Sequence, residues 1–289
     1  MLQDLLKILI DYSLNIIPAF LFALLISAVL AETLPDSFFE KILNSNNIIS
    51  IFFSSIIGAL IPLCTCGMIP LANKLQKKGA SWLISISFLT SGNASSITAL
   101  FMTLVLGLKI TFFRFVFAVV FGVIVAYVFA LFFKPGEAFH ETTLQHEITN
   151  KNHLIKKIVK EFCGLIICFG PWVITAIVVA GIISLFLNPK YVVNLAGTKN
   201  TIGPFVLAIS GFPFYFCAGS DIPITKALLD KGASLGSILS FMTASPGVNL
   251  TSFFVYQKWL GLKSAFIYLA ISFLVCGAMG LVVNVVMRL

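Results

Sequence analysis

The sequence predicts an all-α, polytopic membrane protein of about eight transmembrane helices, within a range of about 8–10. Composition is the first reason. Of the 289 residues, 59% are hydrophobic and only 10% are charged, and the mean hydropathy is +1.04. A soluble domain with so few charged residues could not cover its surface with polar groups. The composition therefore excludes an ordinary soluble enzyme and makes the lipid bilayer the expected surroundings.

Uncharged segments are the second reason and set the helix count. Each is close to, or longer than, the ~20 residues that a helix needs to cross the hydrocarbon of a bilayer. They are residues 12–31, 42–73, 79–108, 115–133, 162–189, 201–220, 232–257 and 264–287. Arg114 and Lys134 bracket the fourth segment, so both side chains are expected to reach out to the membrane surface.

An internal repeat is the third reason. Residues 64–70 align with residues 217–223 at an offset of 217 − 64 = 153, and residues 78–81 align with residues 231–234 at the same offset. A constant register over both halves indicates a duplication. Because residues 12–31 then have a partner at 165–184, the first apolar segment is expected to stay in the mature protein rather than to be cleaved as a signal peptide. The predicted units are transmembrane repeat 1 at 1–133, a connector at 134–161 and transmembrane repeat 2 at 162–289.

The charges of the connector predict its location but not the orientation of the repeats. Its lysines place it in the cytoplasm, since Lys and Arg are enriched in cytoplasmic loops. Eight full crossings would make the repeats parallel. An odd number of crossings in each half would make them inverted, and the acidic first loop, with Glu32 and Asp36, suits that arrangement. Both orientations remain open at this point. The net charge of +8 is spread over short loops, so nucleic acid is not an expected partner.

Proline and glycine interruptions occur at corresponding places in both halves. Residues 62–70 pair with 213–223, and residues 91–96 pair with 244–249. Non-helical backbone at membrane depth is tolerated only where protein or a wet cavity satisfies its polar groups. The four interruptions are therefore expected to converge near the midplane, as in repeat-built transporters; the alternative is simple close packing of helices. The predicted helix breakers and gating positions are Pro62, Gly67, Pro70, Gly92, Pro223, Pro246 and Gly247.

Two cysteines lie among these breakers. In an extended segment Cys64 and Cys66 would point to one side, so both thiolates could face one cavity. Thiolates are soft ligands that suit Cu(I), Zn(II) and trivalent arsenic. Cys217, the repeat partner of Cys64, could add a third sulfur. These three residues are the predicted transient metal ligands, whereas Cys163, Cys168 and Cys276 are expected to be small apolar residues of the helices.

Polar residues at the interruptions complete the predicted substrate site. Asp221, which aligns with Met68, is the acidic residue that the register places inside a predicted break, where it could attract a cation or carry a proton. The alternative is that the chain has already reached the aqueous surface there, because Lys226 follows. The neutral residues predicted to line the path are Ser91, Asn93, Thr243 and Asn249. No nucleotide, dinucleotide or HExxH motif is present, so no cofactor is expected.

The segment Ile61-Pro-Leu-Cys-Thr-Cys-Gly-Met-Ile-Pro70, with Lys78-Gly-Ala-Ser81 and the interruption near Gly92, carries a family resemblance. It resembles the predicted permease family that includes trivalent organoarsenical exporters and related metal-efflux permeases. The resemblance spans both halves. It implies an inner-membrane permease that extrudes thiol-reactive arsenicals or metals through ligation at Cys64 and Cys66. The chain departs from common patterns in keeping one cysteine in the second motif and adding Asp221.

Together these observations predict a function. The chain is expected to be a non-enzymatic, multi-pass permease of the cell inner membrane. It would export a trivalent organoarsenical or soft metal ion by secondary-active transport, through cysteine ligation at the repeat interface. Two alternatives stay open: a permease for a small non-metal anion, and a membrane-embedded thiol oxidoreductase in which Cys64 and Cys66 cycle between dithiol and disulfide. A homodimer is left open as well.

Overall fold

The computed structural model describes residues 48–61, 81–132, 189–198, 200–212, 219–249 and 261–287, with single positions elsewhere. Those single positions are 14, 17, 18, 21, 22, 25, 68, 72, 163, 174, 177, 178, 253, 256 and 257. Residues 133–162, which include the connector, lie outside the described part, so the predicted domain boundaries remain predictions. Within the described ranges the secondary structure is helical and contains no strand, which confirms the all-α prediction there.

Nine α-helices have both ends in the described ranges, and a short 3-10 turn, Leu104–Leu106, links the third to the fourth. The helices are α1 Ile48–Leu60, α2 Trp82–Ala94, α3 Ile97–Thr103, α4 Leu108–Phe132, α5 Pro189–Ala196, α6 Gly203–Ser210, α7 Ile222–Asp230, α8 Leu235–Gly247 and α9 Leu262–Val286.

Three segments are long and apolar enough to cross a membrane: Trp82–Leu106, Leu108–Phe132 and Leu262–Val286. Each has 25 residues, and a helix of that length rises about 37 Å, which exceeds the ~30 Å hydrocarbon layer. Large apolar side chains on the outer faces of α4 and α9 are exposed, among them Phe112 at 63% and Leu274 at 63%. Such faces are suited to lipid rather than water.

The helix α4 differs from the predicted segment 115–133 because it begins seven residues earlier, at Leu108. Gly107 sets this start: its φ of 111° lies in the left-handed region that favours glycine. Lys109 and Arg114 therefore belong to the helix. Lys109 is exposed, but Arg114 is fully buried, so the expectation that Arg114 reaches the membrane surface is wrong. The physical reason is a buried partner, Asp221, which is described below.

The helices pack in two groups of three that touch each other. In the first half, α1, α2 and α4 contact one another, and in the second half α6, α8 and α9 do the same. Between the halves, α2 packs on α8, and α4 packs on both α8 and α9. The short helix α7 lies against α8, and α3 lies against α4. The centre of the described structure is thus formed by helices α2, α4, α8 and α9.

Small and hydroxyl-bearing residues make the close helix contacts. Ser54 Oγ donates to the carbonyl oxygen of Ile84 at 2.8 Å, and joins α1 to α2. Ser240 Oγ donates to the carbonyl oxygen of Cys276 at 2.9 Å, and joins α8 to α9. Packing through small residues and side-chain hydrogen bonds is typical of helices in lipid, where the hydrophobic effect does not drive association between helices.

Helices of equal length lie at positions that the sequence register relates. Helices α2 and α8 have 13 residues each and begin 235 − 82 = 153 positions apart. Both are capped by serine: the backbone N–H of Ile84 donates to Ser81 Oγ, and that of Ser237 donates to Ser234 Oγ. Helices α4 and α9 have 25 residues each and begin 262 − 108 = 154 positions apart.

The contact between α8 and α9 gives the first prediction. A Cβ at Gly280 would lie 2.6 Å from the carbonyl oxygen of Gly236 and 3.0 Å from Pro204 Cβ. Gly280→Val should therefore force the helices apart and cost about 1–3 kcal/mol of stability. Thermal unfolding of the purified protein in detergent measures this. The matched control, Ala278→Val, lies on an exposed face of the same helix and should change little. Equal melting temperatures for the two variants would contradict the packing argument.

Candidate functional site

The site is built where the ends of α2 and α8 meet. Helix α2 ends at Ala94 and helix α8 ends at Gly247. A Cβ at Gly247 would lie 3.5 Å from Ala94 Cα, so the two helix ends are in contact. These two residues are related by the sequence register, since 94 + 153 = 247. The contact therefore joins the same position of the register in two different helices of the described structure.

The backbone leaves the helix just after Ala94. Ser95 and Ser96 are extended, with ψ angles of 149° and 163°, and Ser96 Oγ then accepts from the backbone N–H of Ala99 to begin α3. The interruption was predicted over residues 91–96, and the helix ends within that range, while Gly92 itself lies inside α2. Its missing side chain instead lets Met68 and the Gly58 carbonyl approach the helix.

The breakers of the second half have different roles. Pro246 and Gly247 are the last two residues of α8, so they end that helix as predicted from their residue types. Pro223 lies in the first turn of α7, where its missing N–H is not needed, and it therefore starts a helix instead of interrupting one.

The predicted sulfur ligands are not among the described residues. Cys64, Cys66 and Cys217 lie outside the described part of the chain, as do the breakers Pro62, Gly67 and Pro70. Of the described cysteines, Cys276 is buried and Cys163 is exposed, and both are free thiols. No group of three or more His, Cys, Asp or Glu side chains that could hold a metal ion occurs within the described ranges.

An ion pair is buried beside the central contact. Arg114 Nη1 lies 3.1 Å from Asp221 Oδ2, and the exposed fractions of the two side chains are 0% and 1%. Arg114 Nη2 lies 3.4 Å from Asp221 Oδ1, so both carboxylate oxygens face the guanidinium. Arg114 also donates to Thr103 Oγ1 at 3.0 Å and to the carbonyl oxygen of Met242 at 3.4 Å. We call these four residues the ionic network; they connect α3, α4, α7 and α8.

The local backbone fixes the position of Asp221. Gly219 precedes it with a φ of 86°, and a Cβ there would lie 2.7 Å from Met102 Cβ, so the chain passes directly over α3. Asp221 caps α7 with its backbone, whose carbonyl oxygen accepts from Thr225 Oγ1 at 2.8 Å. Its side chain makes no capping bond and faces Arg114. The side chain of Asp221 is thus enclosed by protein rather than exposed.

A second, uncharged network includes residues in the last turns of α2. Asn93 Nδ2 donates to the Tyr256 hydroxyl at 2.6 Å, and the Tyr268 hydroxyl donates to Thr90 Oγ1 at 3.2 Å. The two tyrosine hydroxyls are 3.4 Å apart and their ring centroids are 4.3 Å apart. We call these four residues the phenolic network. The sequence predicted Asn93 here but missed both tyrosines.

Two residues of each network are related by a sequence offset. Arg114 and Tyr268 are related by 268 − 114 = 154, and their partners Thr103 and Tyr256 by 256 − 103 = 153. Arg114 of α4 reaches across to α8, whereas Tyr268 of α9 reaches across to α2. Extending the register from Thr103 leads to Tyr256, whereas at the same offset Arg114 aligns with Ile267, so Tyr268 lies one position away.

Several buried polar atoms near the helix ends have no hydrogen-bond partner. They are Asn93 Oδ1, Ser95 Oγ, Thr243 Oγ1, Ser245 Oγ and Arg114 Nε. Buried polar groups are normally paired, so these atoms are suited to a bound polar solute or water. The other two predicted lining residues are satisfied by their own helices. Ser91 Oγ donates to the Phe88 carbonyl, and Asn249 Nδ2 donates to the carbonyls of Ser245 and Pro246.

The ionic network gives the second prediction. Arg114→Gln leaves the Asp221 carboxylate buried without its counter-ion, which should cost about 3–5 kcal/mol of stability. Adding Asp221→Asn should recover part of that loss. Tyr268→Phe, the matched change in the phenolic network, should cost only about 1 kcal/mol. Chemical unfolding of purified protein in detergent measures all three. If the single variant Arg114→Gln proved as stable as Tyr268→Phe, the ion pair would not make the expected contribution to stability.

The chain is similar to known proteins over nearly its whole length. A curated relative, UPF0718 protein MJ0584 of Methanocaldococcus jannaschii, is 24% identical over 346 aligned positions that cover 97% of this chain and 95% of the relative. UPF0718 protein YcgR of Bacillus subtilis is 21% identical over 279 positions, which cover 93% of this chain and 92% of its own. No solved structure matches. The profile of the family ArsP_1, described as predicted permease, matches residues 1–285, and the chain belongs to this predicted permease family.

Proposed function

We propose that the protein is a secondary-active permease, that two inverted halves enclose its solute path, and that the solute is thiol-reactive. The permease part rests on the family, which also favours a transporter over an enzyme. The location of the path is supported by the contact between Ala94 and Gly247. Near both helix ends there are buried polar atoms that have no hydrogen-bond partner.

A duplication is supported by the matched helices and networks, and one ring contact supports inversion. If the halves were parallel, Tyr268 would lie at the height of its counterpart Arg114. Phe129 is 129 − 114 = 15 residues further along α4, which corresponds to about 22 Å of helix rise. The ring centroids of Phe129 and Tyr268 are only 6.1 Å apart, which two aromatic side chains could not achieve across that distance. This contact favours antiparallel α4 and α9, as inverted halves require.

Inverted halves provide a simple route to alternating access. In transporters built this way, the site lies between the repeats near the midplane, and one half rocks against the other. Here α2 and α8 both end at the proposed axis, and the extended Ser95 and Ser96 backbone leaves polar groups there. A solute can shift the equilibrium between the two orientations only through a difference in its affinity for them.

The cysteine pattern supports a thiol-reactive solute. Cys64 and Cys66 belong to one half and Cys217 to the other, so rocking of the halves would separate the third sulfur from the first two. A soft centre held by three thiolates would then be released when the halves move apart. A trivalent organoarsenical or a soft metal ion fits this chemistry.

The buried arginine favours a second candidate, a permease for a small anion. Arg114 Nε has no partner, and a guanidinium binds oxyanions well. Its charge is, however, already matched by Asp221, which leaves less attraction for an anion. Transport that persists after thiol blocking would favour the anion.

The cysteine hypothesis gives the third prediction. Cells that lack their own arsenical exporters and carry this protein should grow in phenylarsine oxide, a trivalent organoarsenical, and everted vesicles should accumulate it. The double variant Cys64→Ser, Cys66→Ser should lose this activity, because hydroxyl groups are hard and weak ligands for arsenic. Cys163→Ser is the matched control and should retain it. Full accumulation by the double variant at normal protein level would refute ligation by these cysteines.

Inversion gives the fourth prediction. Lys109 and Lys263 are both exposed, lie in the first turns of α4 and α9, and are related by 263 − 109 = 154. Inverted halves place them on opposite membrane faces. In a cysteine-free background, Lys109→Cys and Lys263→Cys should react with a membrane-impermeant maleimide from opposite sides, in intact cells and everted vesicles respectively. Labelling of both from the same side would show that the halves are parallel.

A further inference from the structure

The ionic network holds the fully buried charged side chains of the described structure. Arg114 and Asp221 are buried, whereas the other described charged residues are exposed or half-buried. Those others are Lys109, Lys190, Lys226, Asp230, Lys231 and Lys263. Moving an ion pair out of water is costly, and apolar replacements are often as stable or more stable. Helix packing alone is therefore a weak reason for this pair.

The phenolic network serves as an internal comparison. At the corresponding place it joins the two halves with Tyr256, Tyr268 and Thr90, and it uses neutral hydrogen bonds alone. Met68, the sequence counterpart of Asp221, is apolar and buried. The phenolic network thus joins the two halves without a buried charge. Ionisable residues at membrane depth commonly mark ion and proton pathways. The buried pair of Arg114 and Asp221 is suited to such a role.

The surroundings of Asp221 allow a single proton to change the network. Helices α3 and α8, which flank it, contain no titratable residue. Helix α4 contributes Arg114 and the exposed Lys109, and its own helix contributes Lys226 and the exposed Asp230. Among the described groups, Arg114 is thus the charge in direct contact with the carboxylate. If Asp221 becomes neutral, Arg114 still keeps the hydroxyl of Thr103 and the carbonyl of Met242 as acceptors.

We propose that Asp221 is a proton-binding site that couples transport to a proton gradient, with Arg114 as its counter-ion; this inference rests on the proposed permease function. A proton from water on one face bonds to a carboxylate oxygen of Asp221, and the charge of the pair changes from zero to +1. The ionic contact between α4 and α7 is then lost. Release of the proton to the other face restores the carboxylate and the contact with Arg114.

Protonation acts on one side of the centre only. The ionic network links α4 of the first half to α7 and α8 of the second half, so its loss loosens one contact between the halves while the phenolic network stays intact. A change that weakens one of two opposed contacts shifts the equilibrium towards opening on that side. The proton gradient would thereby bias which face the site opens to.

The experiment uses proteoliposomes containing the full chain and labelled phenylarsine oxide. Two modes are compared: accumulation driven by a pH gradient, and exchange of internal for external solute at equal pH. One unit of pH supports at most about a tenfold solute gradient at one-to-one coupling. Asp221→Asn should abolish the driven accumulation and keep the exchange. Asp230→Asn, on the exposed end of the same helix, is the matched control and should keep both modes.

A spectroscopic arm is independent of the solute. In pH-difference infrared spectra, the wild type should show the C=O stretch of a buried carboxylic acid, and Asp221→Asn should lose that band. If Asp221→Asn fails to fold, the neutral pair Arg114→Gln, Asp221→Asn replaces it in both arms, since it leaves no unpaired charge.

The outcomes separate the two proposals. Driven accumulation by Asp221→Asn, or a carboxylic acid band that survives in it, would overturn proton binding at Asp221. Loss of exchange together with driven accumulation in a folded variant would also overturn it, because Asp221 would then be needed for solute binding itself. Absence of transport by the wild type in both modes would count against the proposed solute, and the infrared band would then decide the role of Asp221.

Discussion

The contact of two small residues, Ala94 and Gly247, determines how the rest of the centre is arranged. A Cβ at Gly247 would already be in van der Waals contact with Ala94, so the two helix ends lie directly against each other. Because the helices meet end to end, the last carbonyl groups and the following extended residues are buried together at one place. Buried backbone and hydroxyl groups must find partners inside the protein. Arg114 of α4 provides one such partner, to the carbonyl oxygen of Met242 in α8, and Tyr268 of α9 provides another, to the hydroxyl of Thr90 in α2.

Small residues elsewhere keep this centre rigid. The serines of α1 and α8 bond to carbonyls of neighbouring helices, and the glycines of α8 and α9 allow the backbones to approach closely. Van der Waals contact and hydrogen bonds must stabilise these interfaces, since lipid tails are as apolar as the side chains that the helices present. The outer faces of α4 and α9 can then vary in sequence as long as they remain apolar, whereas the inner faces cannot.

The sequence predicts the helical class, whereas the partners of the central polar residues depend on three-dimensional contacts. Composition and uncharged segments suffice for the class, and the register predicts Asp221 and Asn93 because it aligns the interruptions. Arg114 was misassigned because its place near a segment end suggested a route to water, and its partner lies 107 positions away. Residue type alone does not say where within residues 91–96 the helix ends, because a glycine can break a helix or admit a neighbour, and Gly92 lies beside Met68 and Gly58.

The two networks differ in charge. If the proposed halves were equivalent in sequence, they would make equivalent contacts with each other. Here one side is held by an ion pair and the other by neutral hydroxyls. The strength of an ion pair depends on protonation, whereas tyrosine and threonine hydroxyls stay neutral near physiological pH. Under the proposed coupling, the ionic network therefore responds to proton concentration where the phenolic network does not, and the proton gradient supplies the direction of transport.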